Sequence, residues 1–171
     1  MDAAKQENAQ SMIQQTATMV DQANDEDFED QQQYLTFLMQ GEEYGIDILN
    51  VQEIRGWGNV APIPNAPKHV SGVINLRGAI VPVIDLRVLF ELGEATYDEN
   101  TAVIVLKVAT ESVNRIMGIV VDAVSDVFSL TVADKRPPPN VNQSVSHTYI
   151  DGLTEVKGKW LFYWIANVCC I

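Results

Sequence analysis

From Gln33 onward the chain is cut into short apolar runs by Gly, Pro, Asn and Asp at spacings of roughly 8–12 residues, and this limits the folds open to it. A globular helix needs about ten or more uninterrupted residues, whereas a strand needs only four to eight. About ten such runs can be counted, with no regular alternation of long helices between them. The pattern predicts an all-β barrel or sandwich, not a parallel α/β sheet.

The runs are specific. Tyr34–Met39 and Tyr44–Asp47 read as strands around the turn set Gln40–Glu43. Asp47 is a candidate N-cap for one or two helical turns carrying Ile48, Val51 and Ile54 on one face, ended by Gly56 and Gly58. Pro62, Pro64 and Pro67 predict an extended or polyproline loop over Val60–Val70. Val73–Leu76 and Ala79–Leu86 form a hairpin around Arg77-Gly78, where glycine supplies a positive φ. Pro82 in the second arm implies an edge position or a bulge, because proline donates nothing to a ladder. Leu86–Leu92 reads as one helical turn closed by Gly93. The polar break at Glu94–Asn100 suggests a boundary between two small lobes. Thr101–Val108, Arg115–Val124 and Val127–Leu130 continue the sheet. After the break at Lys135–Pro139, Tyr149–Val156 and Lys159–Ile165 make a last hairpin around Lys157-Gly158.

Charge narrows the partners. The net charge is −12, which disfavours nucleic acid and anionic membrane surfaces, since both require clustered Lys and Arg. The first 33 residues hold eight acidic side chains against Lys5 alone, so more than half of the excess sits there. With little apolar surface to fix a helix, 1–32 reads as an acidic flexible N-terminal tail and 33–171 as the folded domain. No apolar run approaches the ~20 residues of a membrane span, and the N-terminus lacks a secretory pattern, so a cytoplasmic protein is expected.

Catalytic chemistry finds little footing. His69 lies in a proline-rich loop and His147 in a polar one, and neither belongs to a recognisable nucleophile–base motif. Asp85 and Asp122 could form a carboxylate pair, but Asp85 with Arg87 two residues on fits a structural ion pair better. Cys169 and Cys170 are adjacent, a poor disulfide and half a zinc site. No cofactor is expected. The stripe Ile48/Val51/Ile54, flanked by Glu53 and Arg55, fits an interface or the protein's own core.

Four segments in series resemble the CheW chemotaxis coupling proteins: EEYGIDILNVQEIRG (Glu42–Gly56), GVINLRGAIVPVIDLR (Gly72–Arg87), NTAVIVLKV (Asn100–Val108) and GIVVDAVSDVFSL (Gly118–Leu130). The resemblance runs from about Tyr34 to Lys159. It implies two packed SH3-like five-stranded β-barrel lobes with one or two short helices. It implies a non-enzymatic cytoplasmic adaptor linking the signalling tip of transmembrane chemoreceptors to the regulatory domain of the histidine kinase CheA. The partner-binding residues it implies are Val51, Glu53, Ile54, Gly72, Arg77, Gly78, Ala102 and Val127, with the receptor tip lying between the lobes. Ala102 stands where similar proteins carry Val. The closing run Trp160–Ile171 differs in composition from the polar or amphipathic helix with which the family usually ends.

Overall fold

The structure, a computed structural model, describes residues 31–94, 96–109, 114–137 and 150–164. Among the described residues ten strands follow in chain order: β1 Gln32–Met39, β2 Glu42–Asp47, β3 Val51–Gly56, β4 Val70–Leu76, β5 Ala79–Asp85, β6 Ala102–Ala109, β7 Asn114–Val121, β8 Ala123–Leu130, β9 Ile150–Val156 and β10 Lys159–Trp164. One short helix, α1, spans Leu86–Leu89, and single 3-10 turns cover Ile48–Asn50 and Val132–Asp134.

The strands form two five-stranded sheets, ordered β8-β1-β2-β10-β9 and β3-β6-β7-β5-β4. The first lobe therefore joins the start of the described chain to its end, and the second is built from the middle. The lobe boundary is not at 94–100, as the polar break suggested. That segment lies inside the second lobe, between β5 and β6. The chain changes lobe between β2 and β3 and again between β7 and β8. In the second lobe the edge strands β3 and β4 come close enough for the Arg55 guanidinium to donate to the Asn75 carbonyl at 3.3 Å. In the first, Lys157 at the β9–β10 turn lies over the Phe128 ring of β8, 4.9 Å from its centroid.

Strand alternation explains why the middle of the sequence is almost continuously apolar. Successive side chains of β6 point to opposite faces. Val103 and Val105 enter the core of the second lobe with Ile74, Val81, Val83 and Val120. Ile104, Leu106 and Val108 enter a layer shared with Leu35, Phe37, Met39, Tyr44 and Ile46 of the first lobe. A strand buried on both faces needs no polar alternation. A smaller third cluster, Tyr34, Leu130, Leu161 and Tyr163, fills the first lobe.

Three local expectations are corrected. Val51, Ile54 and their neighbours are strand, not helix: only Ile48–Asn50 is helical, capped by the Asp47 carboxylate accepting from Leu49 N–H at 2.9 Å. The apolar spacing i, i+3, i+6 arises because a bulge between Val51 and Glu53 resets the strand alternation. Pro82 is not on an edge strand, since β5 lies between β7 and β4, but the alternative of a bulge has a counterpart in the register shift of the β4–β5 ladder between Val70 and Gly72, just beyond Pro82. Its parallel ladder to β7 begins only at Val83, and it faces Val73 of β4, so no required donor is lost. The proline loop is not uniformly extended: Asn65 takes φ 60° beside Pro64, and Ala66 N–H donates to Ile63 C=O at 3.4 Å. The acidic segment 1–30, His147 and Cys169-Cys170 fall outside the described residues.

Asp134 supplies a pH-dependent support at the exit of β8. Its carboxylate accepts from Thr131 N–H at 2.9 Å and from the Thr131 hydroxyl at 2.8 Å, which hold its pKa below the ordinary value. Such a group stabilises the fold above the unfolded carboxylate range and stops doing so as pH falls through the folded value. We expect a depressed Asp134 titration by NMR, abolished in Asp134→Asn.

Candidate partner-binding surface

The second lobe presents β3 beside the tip of the β4–β5 hairpin. The hairpin turn is of type I′, with Arg77 at φ 51° and Gly78 at φ 92°. Gly78 N–H donates to the Asn75 side-chain oxygen at 2.8 Å, which fixes the turn and holds the Arg77 side chain outward, 85% exposed. Glu53 accepts from Arg55 Nε at 3.1 Å and approaches Arg77 at 3.6 Å. These are exposed pairs, each contributing at most about 1 kcal/mol to stability.

Beside the charged rim lies an apolar margin. Ile54 faces the same way as its ladder partner Ile104, which is buried in the layer between the lobes, yet Ile54 itself is 46% exposed. On the other sheet Val127 is paired with Leu35, a member of the same layer, and is 41% exposed. Both β3 and β8 are edge strands of their sheets. Val51 and Val124 pack against the shared layer just inside them. The layer therefore runs out to solvent along two strand margins, one on each lobe.

The eight residues implied by the resemblance do not play one part. Glu53, Arg77 and Gly78 come together at the rim. Val51 and Ile54 lie beside them on β3, and Val127 is on the other lobe. Ala102 is buried in the shared layer opposite Gly56, where it supports β3 from within. Gly72 is also buried, and a Cβ built on it would sit 2.2 Å from the Ala61 carbonyl oxygen. That close approach lets Ala61 and Val73 exchange two backbone hydrogen bonds of 2.8 Å. Arg55, read from the sequence as a charge flanking the apolar stripe, belongs to the same stretch; Leu49, 85% exposed, was not singled out, because on periodicity alone it does not depart from an ordinary solvated position.

Between the lobes sits a buried ionic bridge. Arg87 is fully buried and binds Asp85 twice, through Nε at 3.0 Å and Nη2 at 2.8 Å. Its Nη1 reaches Asp122 Oδ1 and Thr96 C=O, each at 2.7 Å. Asp122 accepts from Gln40 N–H at 2.7 Å, and its own N–H donates to Leu38 C=O at 3.0 Å, so it is tied to β1 of the first lobe. Tyr97 seals the bridge. Its hydroxyl donates to Asp85 at 3.0 Å, and its ring stacks on Trp57 at 4.1 Å. The hydrogen bonds that Arg87 donates to the Asp85 carboxylate raise its pKa, while burial opposes them. Burial and the Asp85 charge raise the Tyr97 pKa. Asp85 and Asp122 do converge, but on a guanidinium held between them. That geometry makes them acceptors in a structural network. His69 contributes its carbonyl to Asp85 N–H at 2.8 Å. Among the described residues no three His, Cys, Asp or Glu are grouped to hold a metal ion, and no helix is long and apolar enough to cross a membrane.

Two interleaved β lobes with an exposed apolar margin and a charged rim define a scaffold for protein docking. Residues 33–165 match the family model of the CheW-like domain. The chain is 52% identical to the chemotaxis protein CheW of Klebsiella aerogenes over 130 residues, 76% of each chain. It is 37% identical to that of Treponema pallidum over 138 residues, covering 81% of this chain and 79% of the other. The crystal structure of the scaffolding protein TtCheW from Thermoanaerobacter tengcongensis superposes with a TM-score of 0.72 at 28% identity, covering 80% and 85% of the two chains. The chain belongs to the CheW family of chemotaxis adaptors and scaffolds.

Proposed function

We propose that this chain couples the signalling tip of transmembrane chemoreceptors to the histidine kinase CheA, as a non-catalytic cytoplasmic adaptor recruited to receptor arrays. The observation that carries the reading is the exposure of Ile54, beside the Glu53/Arg77 rim, and of Val127 on the other lobe, where the shared apolar layer meets solvent. Apolar margins supply burial when a partner docks, and the rim charges fix its register. A receptor helix tip fits between the lobes, and the kinase's regulatory domain uses an apolar end of a barrel. The acidic segment before Gln32, the first residue of β1, lies outside the coupling domain in this reading. Family membership supports it, together with the absorption of Asp85 and Asp122 into a structural bridge.

No bond chemistry is required. An adaptor controls a kinase when its contacts differ in free energy between the active and inactive arrays. Arg77 is the residue to change first, because it is exposed and its partner Glu53 is half-exposed. Arg77→Ala or Arg77→His is expected to leave the unfolding midpoint within about 1 kcal/mol of wild type while weakening receptor-dependent kinase activation. Pull-down with receptor and kinase fragments and a coupled phosphorylation assay check this. Wild-type values in both would overturn the assignment of Arg77.

A further inference from the structure

The second lobe is not closed by a ladder. Its edge strands β3 and β4 face each other across a seam, and backbone directions along it can be deduced. Trp57 N–H donates to Thr101 C=O at 2.9 Å, so the pair 57/101 is hydrogen-bonded across to β6. Antiparallel ladders alternate between bonded and non-bonded pairs. The backbone groups of Ile54 and Gly56 therefore point away from β6, into the seam. On β4, Val73 directs its groups to Ala61 and lies opposite Pro82, which has no N–H. Asn75, two residues on, points the same way, into the seam. There its carbonyl accepts only the long 3.3 Å bond from Arg55.

Between these edges is a cleft of about 350 Å³, lined by Arg55, Gly56, Gly58 and Asn59 on one side and by Ile74, Asn75 and Val103. The cleft is mixed in polarity: Ile74 and Val103, members of the lobe's core, supply its apolar part. A Cβ on Gly56 or Gly58 would meet nothing within 4 Å, so a second backbone has room to approach. The rim carries two cations, Arg55 and Arg77, against Glu53 alone. Past the Ala61–Val73 bridge the two edges carry no ladder partner, and an unpaired strand edge beside apolar side chains is what adding an extended segment to a sheet requires.

We propose that this seam binds an extended peptide segment bearing a carboxylate, which adds as a strand between β3 and β4. The segment bonds to the free backbone groups of Ile54, Gly56 and Asn75 and sets an apolar side chain on Ile74 and Val103. Its carboxylate takes the Arg55 guanidinium from the Asn75 carbonyl, replacing a neutral acceptor by a charged one. The occupant is a strand-forming acidic segment, distinct in conformation from the helical tip considered above, and the site stands whether or not the coupling reading holds.

The test uses the full chain, isotope-labelled, with no kinase or receptor present. The probe is the capped pentapeptide Thr-Val-Glu-Val-Thr, compared with Thr-Val-Lys-Val-Thr. The acidic peptide is expected to give saturable amide shifts, and slowed hydrogen exchange, at Ile54, Gly56 and Asn75. Arg55→Ala is expected to weaken it about tenfold, in line with loss of a hydrogen bond to a charged group. Arg55→Lys retains most of the binding, and Arg55→Glu reverses the preference toward the lysine peptide. Equal binding of both peptides, shifts confined to the margins between the lobes, or no shift at millimolar peptide would overturn the proposal. So would shifts at these amides that grow with protein concentration alone, which would assign the seam to a second copy.

Discussion

Replacing Arg87 by alanine is expected to lower the free energy of unfolding by about 3–5 kcal/mol, the usual cost of removing one partner from a buried charge network. The side chain is fully buried and satisfies Asp85, Asp122 and the Thr96 carbonyl together. Its loss leaves Asp85, itself buried, with the Tyr97 hydroxyl and the Arg87 backbone N–H as its remaining donors. The lobes also lose a tie, because Asp122 is anchored to β1. Urea unfolding with an unchanged m-value measures the effect. Removing both charges, as Arg87→Met with Asp85→Leu, is expected to recover much of the loss, since no buried charge is then left alone. A cost below about 1 kcal/mol for Arg87→Ala would mean that the bridge is a passenger.

Gly72→Ala is the second large effect. Glycine here has φ 148°, and a Cβ would lie 2.2 Å from the Ala61 oxygen and 2.8 Å from its carbon. Both are backbone atoms, so nothing flexible can turn aside. The Ala61–Val73 bridge must open, and the loop leading from β3 must shift. Backbone strain of about 1–3 kcal/mol and overpacking of similar size predict a loss of roughly 3 kcal/mol. That corresponds to a fall in Tm of about 10 °C for a domain of this size. Gly78→Ala provides the contrast: its φ is 92° but the space around it is open, so only conformational strain of about 1 kcal/mol is expected. Thermal unfolding of the two variants side by side tests the distinction. Equal losses would show that steric approach at Gly72 is not the cause.

Apart from β3, the β-strands were legible in the sequence because turn residues mark the strand ends directly, as Arg77-Gly78 and Lys157-Gly158 do. The pairing was not. Nothing local indicates that β10 runs parallel beside β2, or that the first lobe closes around both ends of the folded region. The stripe Ile48/Val51/Ile54 was read as helical because a bulged strand can imitate a helical period over seven residues. The Asp85–Arg87 pair followed from spacing, whereas Asp122, Tyr97 and Thr96 joined it only through tertiary contact. At the surface, the resemblance implied eight residues in several stretches without separating exposed positions from buried ones. Ala102 and Gly72 proved to be buried supports, while Ile54, Arg77 and Val127 are exposed.

The coupling role itself is tested most directly by co-sedimentation of the full chain with a receptor signalling fragment and CheA. The account predicts that the chain pellets with both and that kinase recruitment to the receptor fragment depends on its presence. Failure of the chain to enter the complex at tens of micromolar, with each partner shown to be folded, would contradict it.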